Sequence, residues 1–81
     1  MILKYISVAM DQAHYEFLKG DKKFYGEIPS CKGVYATGKT LEECRRELAE
    51  VLEDWILLRV AKNLSIPMIK GIRLNVKEVG V

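Results

Sequence analysis

Cysteine, proline and histidine are scarce in this 81-residue chain, with two, two and one copies respectively, and tryptophan occurs once. Each scarcity excludes something. A zinc site takes about four nitrogen or sulfur ligands, so Cys31, Cys44 and His14 fall short of one. His14 has no Ser, Cys or Asp partner at a recognisable spacing, and one histidine makes no catalytic relay. No apolar run approaches the roughly 18 residues that span a bilayer. Lys4 near the N-terminus is not followed by a small-residue cleavage site, so no signal peptide is expected. Excess charge is also missing: a formal +2 is too small to argue for nucleic acid by itself. A length of 81 residues with 49% hydrophobic and 30% charged residues suits one folded soluble domain.

The absence of breakers is the most telling. No Pro or Gly lies between Gly38 and Pro67, and at its start Thr40 is followed three residues later by Glu43. That spacing is a capping box, in which the Thr hydroxyl accepts from the Glu43 N–H and the carboxylate reaches back to the Thr40 N–H. Leu41, Cys44, Leu48, Val51, Leu52 and Trp55 then share one sector at about 100° per residue. A helix from Leu41 to about Lys62 is predicted, roughly 30 Å long. Cys44 falls on its apolar stripe, so buried thiols are expected in preference to a Cys31–Cys44 bridge, and with them a cytoplasmic location.

Around that helix the chain reads in order. Ile2, Tyr5, Ile6, Ala9 and Ala13 have helical spacing over residues 1–12, with a strand as the alternative because Ile6-Ser7-Val8 alternates. His14–Lys19 and Lys23–Ile28 read as strands joined by the turn Gly20-Asp21-Lys22. Pro29 to Gly33 is a loop, because Pro cannot donate to a ladder and Gly permits positive φ. Val34–Thr37 is a third strand. Beyond the connector Asn63–Pro67, Ile72, Leu74 and Val76 alternate with polar residues as a fourth. The expected fold is α+β, a two-layer α-β-β-β-α-β domain with one long helix packed on an antiparallel meander.

Several patterns invite a chemical reading. Gly33-Val34-Tyr35-Ala36-Thr37-Gly38-Lys39-Thr40 matches the P-loop spacing letter for letter, but Val34–Thr37 reads as the strand itself and no magnesium-holding strand follows. Glu16, Asp21, Glu27 and Glu43 could be imagined as a metal-dependent nuclease cluster; strand faces, a turn and the cap account for them. Lys19, Lys22, Lys23, Lys32 and Lys39 crowd the hairpin tip and nearby turns, as a solvated loop or as phosphate contacts. No catalytic, cofactor or metal residue is assigned, and the chain is not read as an enzyme.

The outer face of the long helix carries more. With Leu48 at the centre of the buried sector, Glu42, Glu43, Glu47, Glu50, Glu53 and Asp54 form an acidic strip broken mainly by Arg46, either a solvated face or a surface for a basic partner. Ile56, Leu57 and Val60 follow in a segment apolar nearly all round, with Leu57 and Val60 directed away from the core. Such a segment calls for cover from another subunit or a partner, and a homo-oligomer, dimer or higher, is expected.

These pieces resemble the HicB-type antitoxin family over Tyr15–Trp55 and more loosely to the last strand. The resemblance lies in Tyr25-Gly26-Glu27-Ile28-Pro29, in the Gly33 loop, and in Thr37-Gly38-Lys39-Thr40-Leu41-Glu42-Glu43-Cys44. The family pattern is a strand ending in Pro, a Pro-Gly loop, a short strand, then Gly-x-Thr/Ser-Leu-x-Glu-Ala opening a helix. Pro29, Gly33, Gly38, Thr40, Leu41 and Glu43 are the positions that match. Cys31-Lys32 stands where the family usually has Leu-Pro, and Cys44 where it has Ala. Fuller members carry a C-terminal DNA-binding segment; here Val81 closely follows the last expected strand, as in short stand-alone members, so operator binding is not expected. The resemblance implies a partial ribonuclease H-like fold with the last strand beside the first. It also implies a non-catalytic role, neutralising a small basic HicA-type RNA-cleaving toxin; the acidic helix face agrees with that role without establishing it, and makes Glu43, Glu47, Glu50, Glu53 and Asp54 the expected contact residues. The alternative from the residues alone is a small RNA- or DNA-binding domain using the lysine-rich hairpin.

Overall fold

A computed structural model describes residues 2–72. The expected N-terminal helix is present as α1 (Ile2–Asp11). Three strands follow, β1 (His14–Leu18), β2 (Lys23–Glu27) and β3 (Tyr35–Gly38), and then the long helix α2 (Leu41–Ala61). The sheet is antiparallel in the order β1-β2-β3, with Tyr15 opposite Gly26 and Gly26 opposite Ala36. Helices lie on one side of this meander, giving the two layers of an α+β domain. The fourth strand expected over Ile72–Val76, and its place beside the first, lie beyond residue 72 and so outside the described residues, apart from an isolated bridge between Ile69 and Ile72.

The start of α2 follows from its cap. Thr40 is extended (φ −119°, ψ 162°), and its hydroxyl accepts from the Glu43 N–H at 3.1 Å. The reciprocal half differs from expectation by one residue: the Glu43 carboxylate accepts from the Lys39 N–H at 3.1 Å, not from Thr40. The end is equally local. The Lys62 N–H donates to the Leu58 carbonyl, and Asn63 takes a left-handed φ of 55°, a conformation Asn tolerates better than most residues. Because the cap satisfies an otherwise orphaned donor, Thr40→Ala is expected to destabilise the domain by about 1 kcal/mol. Urea denaturation of parent and variant measures it; equal midpoints would mean that the cap contributes nothing.

The core is built from Tyr5 and Ala9 of α1, Ile28, Cys31 and Val34 of the loop and its flanks, Ala36 of β3, Leu48, Leu52 and Ile56 of α2, and Ile69. Alternation along the strands sends Tyr15, Phe17, Phe24, Gly26, Ala36 and Gly38 to the helix side. Both cysteines are free and buried. Cys31 reaches the core because the loop folds tightly around it: its N–H donates to the Ile28 carbonyl and its carbonyl accepts from the Val34 N–H, both at 3.0 Å. Gly33 closes that loop at φ +95°, where a side chain would be strained. Burial raises the Cys31 and Cys44 thiols above their ordinary pKa, so both stay protonated. The Tyr5 hydroxyl donates to the Pro67 carbonyl and ties α1 to the segment after α2.

Leu41, expected on the buried stripe, is about half exposed at 47%. The buried positions of α2 are Cys44, Leu48, Leu52 and Ile56, each four residues after the last. Four residues advance a helix by a full turn plus about 40°. The buried line therefore winds around α2, and a straight stripe centred on Leu48 misplaces residues at both ends.

Candidate interaction surfaces

The winding line settles most of the residues singled out on α2. Ile56, expected at a subunit contact, is 0% exposed and lies inside the chain's own core. Val60, the next position on the same line, is half-buried against that core and does not point away from it. Leu57 is exposed, at 55%, as the helical wheel requires. Its neighbour Leu58, not anticipated because it borders the Leu48-centred sector, is exposed at 53%. In the last turns of α2 the exposed large apolar residues are thus Leu57 and Leu58, with Val60 half-buried and Ile56 in the core.

The acidic residues lie largely where the periodicity puts them. Glu42, Glu47, Glu50, Glu53 and Asp54 are exposed, while Glu43 is half-buried and occupied by the cap. Arg45 and Arg46 are exposed beside Glu42 and help line a hollow between α1 and α2 with Ser7, Met10, Asp11 and Ala49. Toward the other end, the Arg59 guanidinium lies 4.9 Å over the Trp55 ring, and its Nε–H donates to the Ser65 carbonyl at 2.5 Å. Cation–π attraction and this hydrogen bond hold Arg59 along the helix flank.

A second surface lies on the far side of the sheet. The alternation that sends Tyr15 and Ala36 inward turns His14, Glu16, Leu18, Lys23, Tyr25, Glu27, Tyr35 and Thr37 outward, and none of the eight is buried. Tyr25 and Tyr35 stack there, with ring centroids 6.2 Å apart and an interplanar angle of 27°. The Tyr25 hydroxyl donates to Glu27 Oε1 at 3.0 Å. That hydrogen bond, followed by partial burial and the nearby Glu27, Tyr35 and Glu16, raises the phenol's pKa. Register sets His14 opposite Glu27 and Glu16 directly opposite Tyr25, so Tyr25 has one carboxylate across from it on β1 and another two residues on in its own strand. A groove of about 270 Å³ runs between them, lined by His14, Tyr15, Glu16, Tyr25 and Glu27.

The remaining motifs resolve into structure. The P-loop match is strand: Tyr35–Gly38 pairs with Phe24–Glu27, so the backbone that would wrap phosphate is in the ladder. Of the four carboxylates of the imagined nuclease cluster, Glu16 and Glu27 share the outer sheet face, Asp21 is in the hairpin turn, and Glu43 caps α2. Among the described residues, no group of three or more His, Cys, Asp or Glu is placed to hold a metal ion. Lys19, Lys22 and Lys23 do gather at the β1–β2 hairpin, whereas Lys32 and Lys39 lie on separate segments. No helix among the described residues is long and apolar enough to cross a membrane.

Among the described residues, an antiparallel meander backed by one capped spine helix and a shorter one defines a small two-layer α+β domain whose polar chemistry lies at its surfaces. The model of the UPF0150-like family matches residues 4–67, and the chain belongs to that family. A UPF0150 protein of Thermotoga maritima is 50% identical over 32 residues, which are 40% of this chain and 43% of the relative. The match thus spans less than half the length of that curated relative. The crystal structure of TTHA0281 from Thermus thermophilus superposes with a TM-score of 0.86 at 39% identity, covering 91% of each chain. That neighbour shares the fold over nearly the whole length.

Proposed function

We propose that this chain is a non-catalytic, antitoxin-like binding module of HicB type that neutralises a small HicA-type RNA-cleaving toxin by protein–protein contact. The observation that carries the reading is the open acidic face of α2, where Glu47, Glu50, Glu53 and Asp54 stand exposed to meet a basic partner. UPF0150-like membership and the α-β-β-β-α order are compatible with it and with a partial ribonuclease H-like arrangement. The free, buried Cys31 and Cys44 suit the reducing cytoplasm. The direct test is co-expression with the product of an adjacent reading frame encoding a small, basic, His-containing protein, followed by co-purification and assay of its ribonuclease activity. Loss of RNA cleavage in the complex is the expected result; unabated cleavage, or no complex, would overturn the reading. RNA binding by this chain alone, with a steep salt dependence set by the hairpin lysines, would instead favour a nucleic-acid role.

Charge on the strip acts mainly on encounter. The double variant Glu50→Lys, Glu53→Lys is therefore expected to slow association with the toxin roughly tenfold at low salt and to flatten its salt dependence. Stopped-flow mixing reads both. Unchanged kinetics would remove the strip from the interface.

The same reading includes self-association. Leu57 and Leu58 are both more than half exposed, and burying a large aliphatic side chain is worth roughly 1.5–3 kcal/mol. Two-fold pairing through this end of α2 sets one patch against its mate. Leu57→Glu is then expected to give a folded monomer, because it places a charge in the contact and leaves the internal core alone. Light scattering with circular dichroism decides the matter; a monomeric parent would refute it.

A further inference from the structure

We propose that the outer face of the sheet is a binding site for arginine side chains presented by a basic protein segment, with the Tyr25–Tyr35 pair and the carboxylates of Glu16 and Glu27 as its elements. This face is the opposite side of the molecule's sheet from α2, so the site is independent of the acidic strip and of whether the partner is a toxin.

Chemistry selects the occupant. Tyr35 is 58% exposed, a large aromatic surface left in water on an open sheet. Its near-parallel stack with Tyr25 presents π surface that attracts a cation lying over it. The Tyr25 hydroxyl takes one oxygen of Glu27, which holds that carboxylate beside the ring and leaves its second oxygen as an acceptor. Glu16 supplies another acceptor from the other side of Tyr25, across the groove shared with His14. A planar guanidinium can stack on a ring and donate from its edge to a carboxylate at once; a lysine ammonium does neither as well.

The same geometry disfavours other occupants. Aromatic side chains on a sheet can stack nucleic-acid bases, but Glu16 and Glu27 would repel the phosphates; of the cations nearby, Lys23 sits at the strand end, and Lys32, which lines a groove with Tyr25, Glu27 and Tyr35, sets one positive charge against two carboxylates. Two copies meeting face to face would bring four carboxylates together, a like-charge contact.

The experiment is an NMR titration of the full chain, following the Tyr25 and Tyr35 ring signals, with an acetylated Arg-Gly-Arg peptide amide. The Lys-Gly-Lys analogue and a single-stranded oligouridylate serve as competing probes. The expected result is saturable shifts with the arginine peptide, weaker binding of the lysine peptide, and suppression by salt. Glu27→Gln should weaken binding roughly fivefold and Tyr35→Ala about threefold, whereas Tyr35→Phe, which keeps the ring, should bind like the parent. The Glu50→Lys, Glu53→Lys variant should also bind like the parent, which separates this face from the α2 strip. Absence of saturable shifts, unchanged affinity in Glu27→Gln, or stronger shifts of the same rings with oligouridylate would each overturn the proposal. None of these outcomes bears on toxin capture by α2.

Discussion

Gly38→Ala is expected to destabilise the domain by about 3 kcal/mol, the upper end of ordinary overpacking effects. Gly38 ends β3 and faces the first turn of α2, where the helix backbone comes closest to the sheet. A Cβ built there would lie 2.4 Å from the Cys44 nitrogen, 2.9 Å from the Cys44 Cα and 2.9 Å from the Glu43 carbonyl carbon. These are backbone atoms of a capped helix, and they cannot turn aside as a long side chain does. Relief requires moving the N-terminus of α2, together with the Thr40 cap and the Cys44 Sγ, which reaches the Ala36 carbonyl at 3.6 Å. For a domain of this size the change corresponds to a fall in Tm on the order of 15 °C. Gly20→Ala is the control: nothing lies within 4 Å of the added carbon, and its effect should stay within about 0.5 kcal/mol. Thermal melts that coincide for the two variants would mean that α2 does not approach β3 this closely.

Ile56→Ala should destabilise the folded chain by about 2–5 kcal/mol, at any protein concentration. Ile56 is fully buried among the core residues, so shortening it removes apolar contact and leaves a cavity that its neighbours fill only in part. Leu57, one residue on, is expected to behave differently. It is 55% exposed, and if its role is association, Leu57→Ala lowers stability only as the linked equilibrium allows, so its effect grows with protein concentration. Chemical denaturation at two concentrations separates the cases. An Ile56→Ala variant that retains full stability but loses self-association would return Ile56 to the subunit contact and undo the assignment of the buried line.

Local chemistry explains why so much of the backbone is legible. Thr40 and Glu43 announce the start of α2 through hydrogen bonds that span only three or four residues, and the run without Pro or Gly lets the helix continue to Ala61. The turn between Leu18 and Lys23 and the Pro29–Gly33 loop are equally local, since they depend on residues able to leave the ladder or take positive φ. Membership of the UPF0150-like family agrees with the resemblance drawn from those same motifs to the extent that both single out residues within 4–67.

What one-dimensional patterning misjudges lies on α2. An apolar residue next to a predicted stripe is equally consistent with core and with contact, and a straight stripe divides Ile56, Val60 and Leu58 wrongly. The direction in which the buried line winds depends on how α2 crosses β3 and β2, a property of the packed pair and not of the helix.

The three strands and the long helix, with their approximate ends, the cap, the buried cysteines and the acidic surface of α2 were legible from the residues, because each depends on propensity, period or charge within a few positions, whereas residues 1–12 fitted helix and strand alike. It took the packed chain to show that Tyr35 stacks on Tyr25, that Glu16 and Glu27 both neighbour Tyr25, and that Ile56 belongs to the core. Alternation states that two residues of one strand share a face, but it says nothing of which residues of another strand lie beside them. That is set by register, and register is fixed when the helix layer selects which face of the sheet to bury.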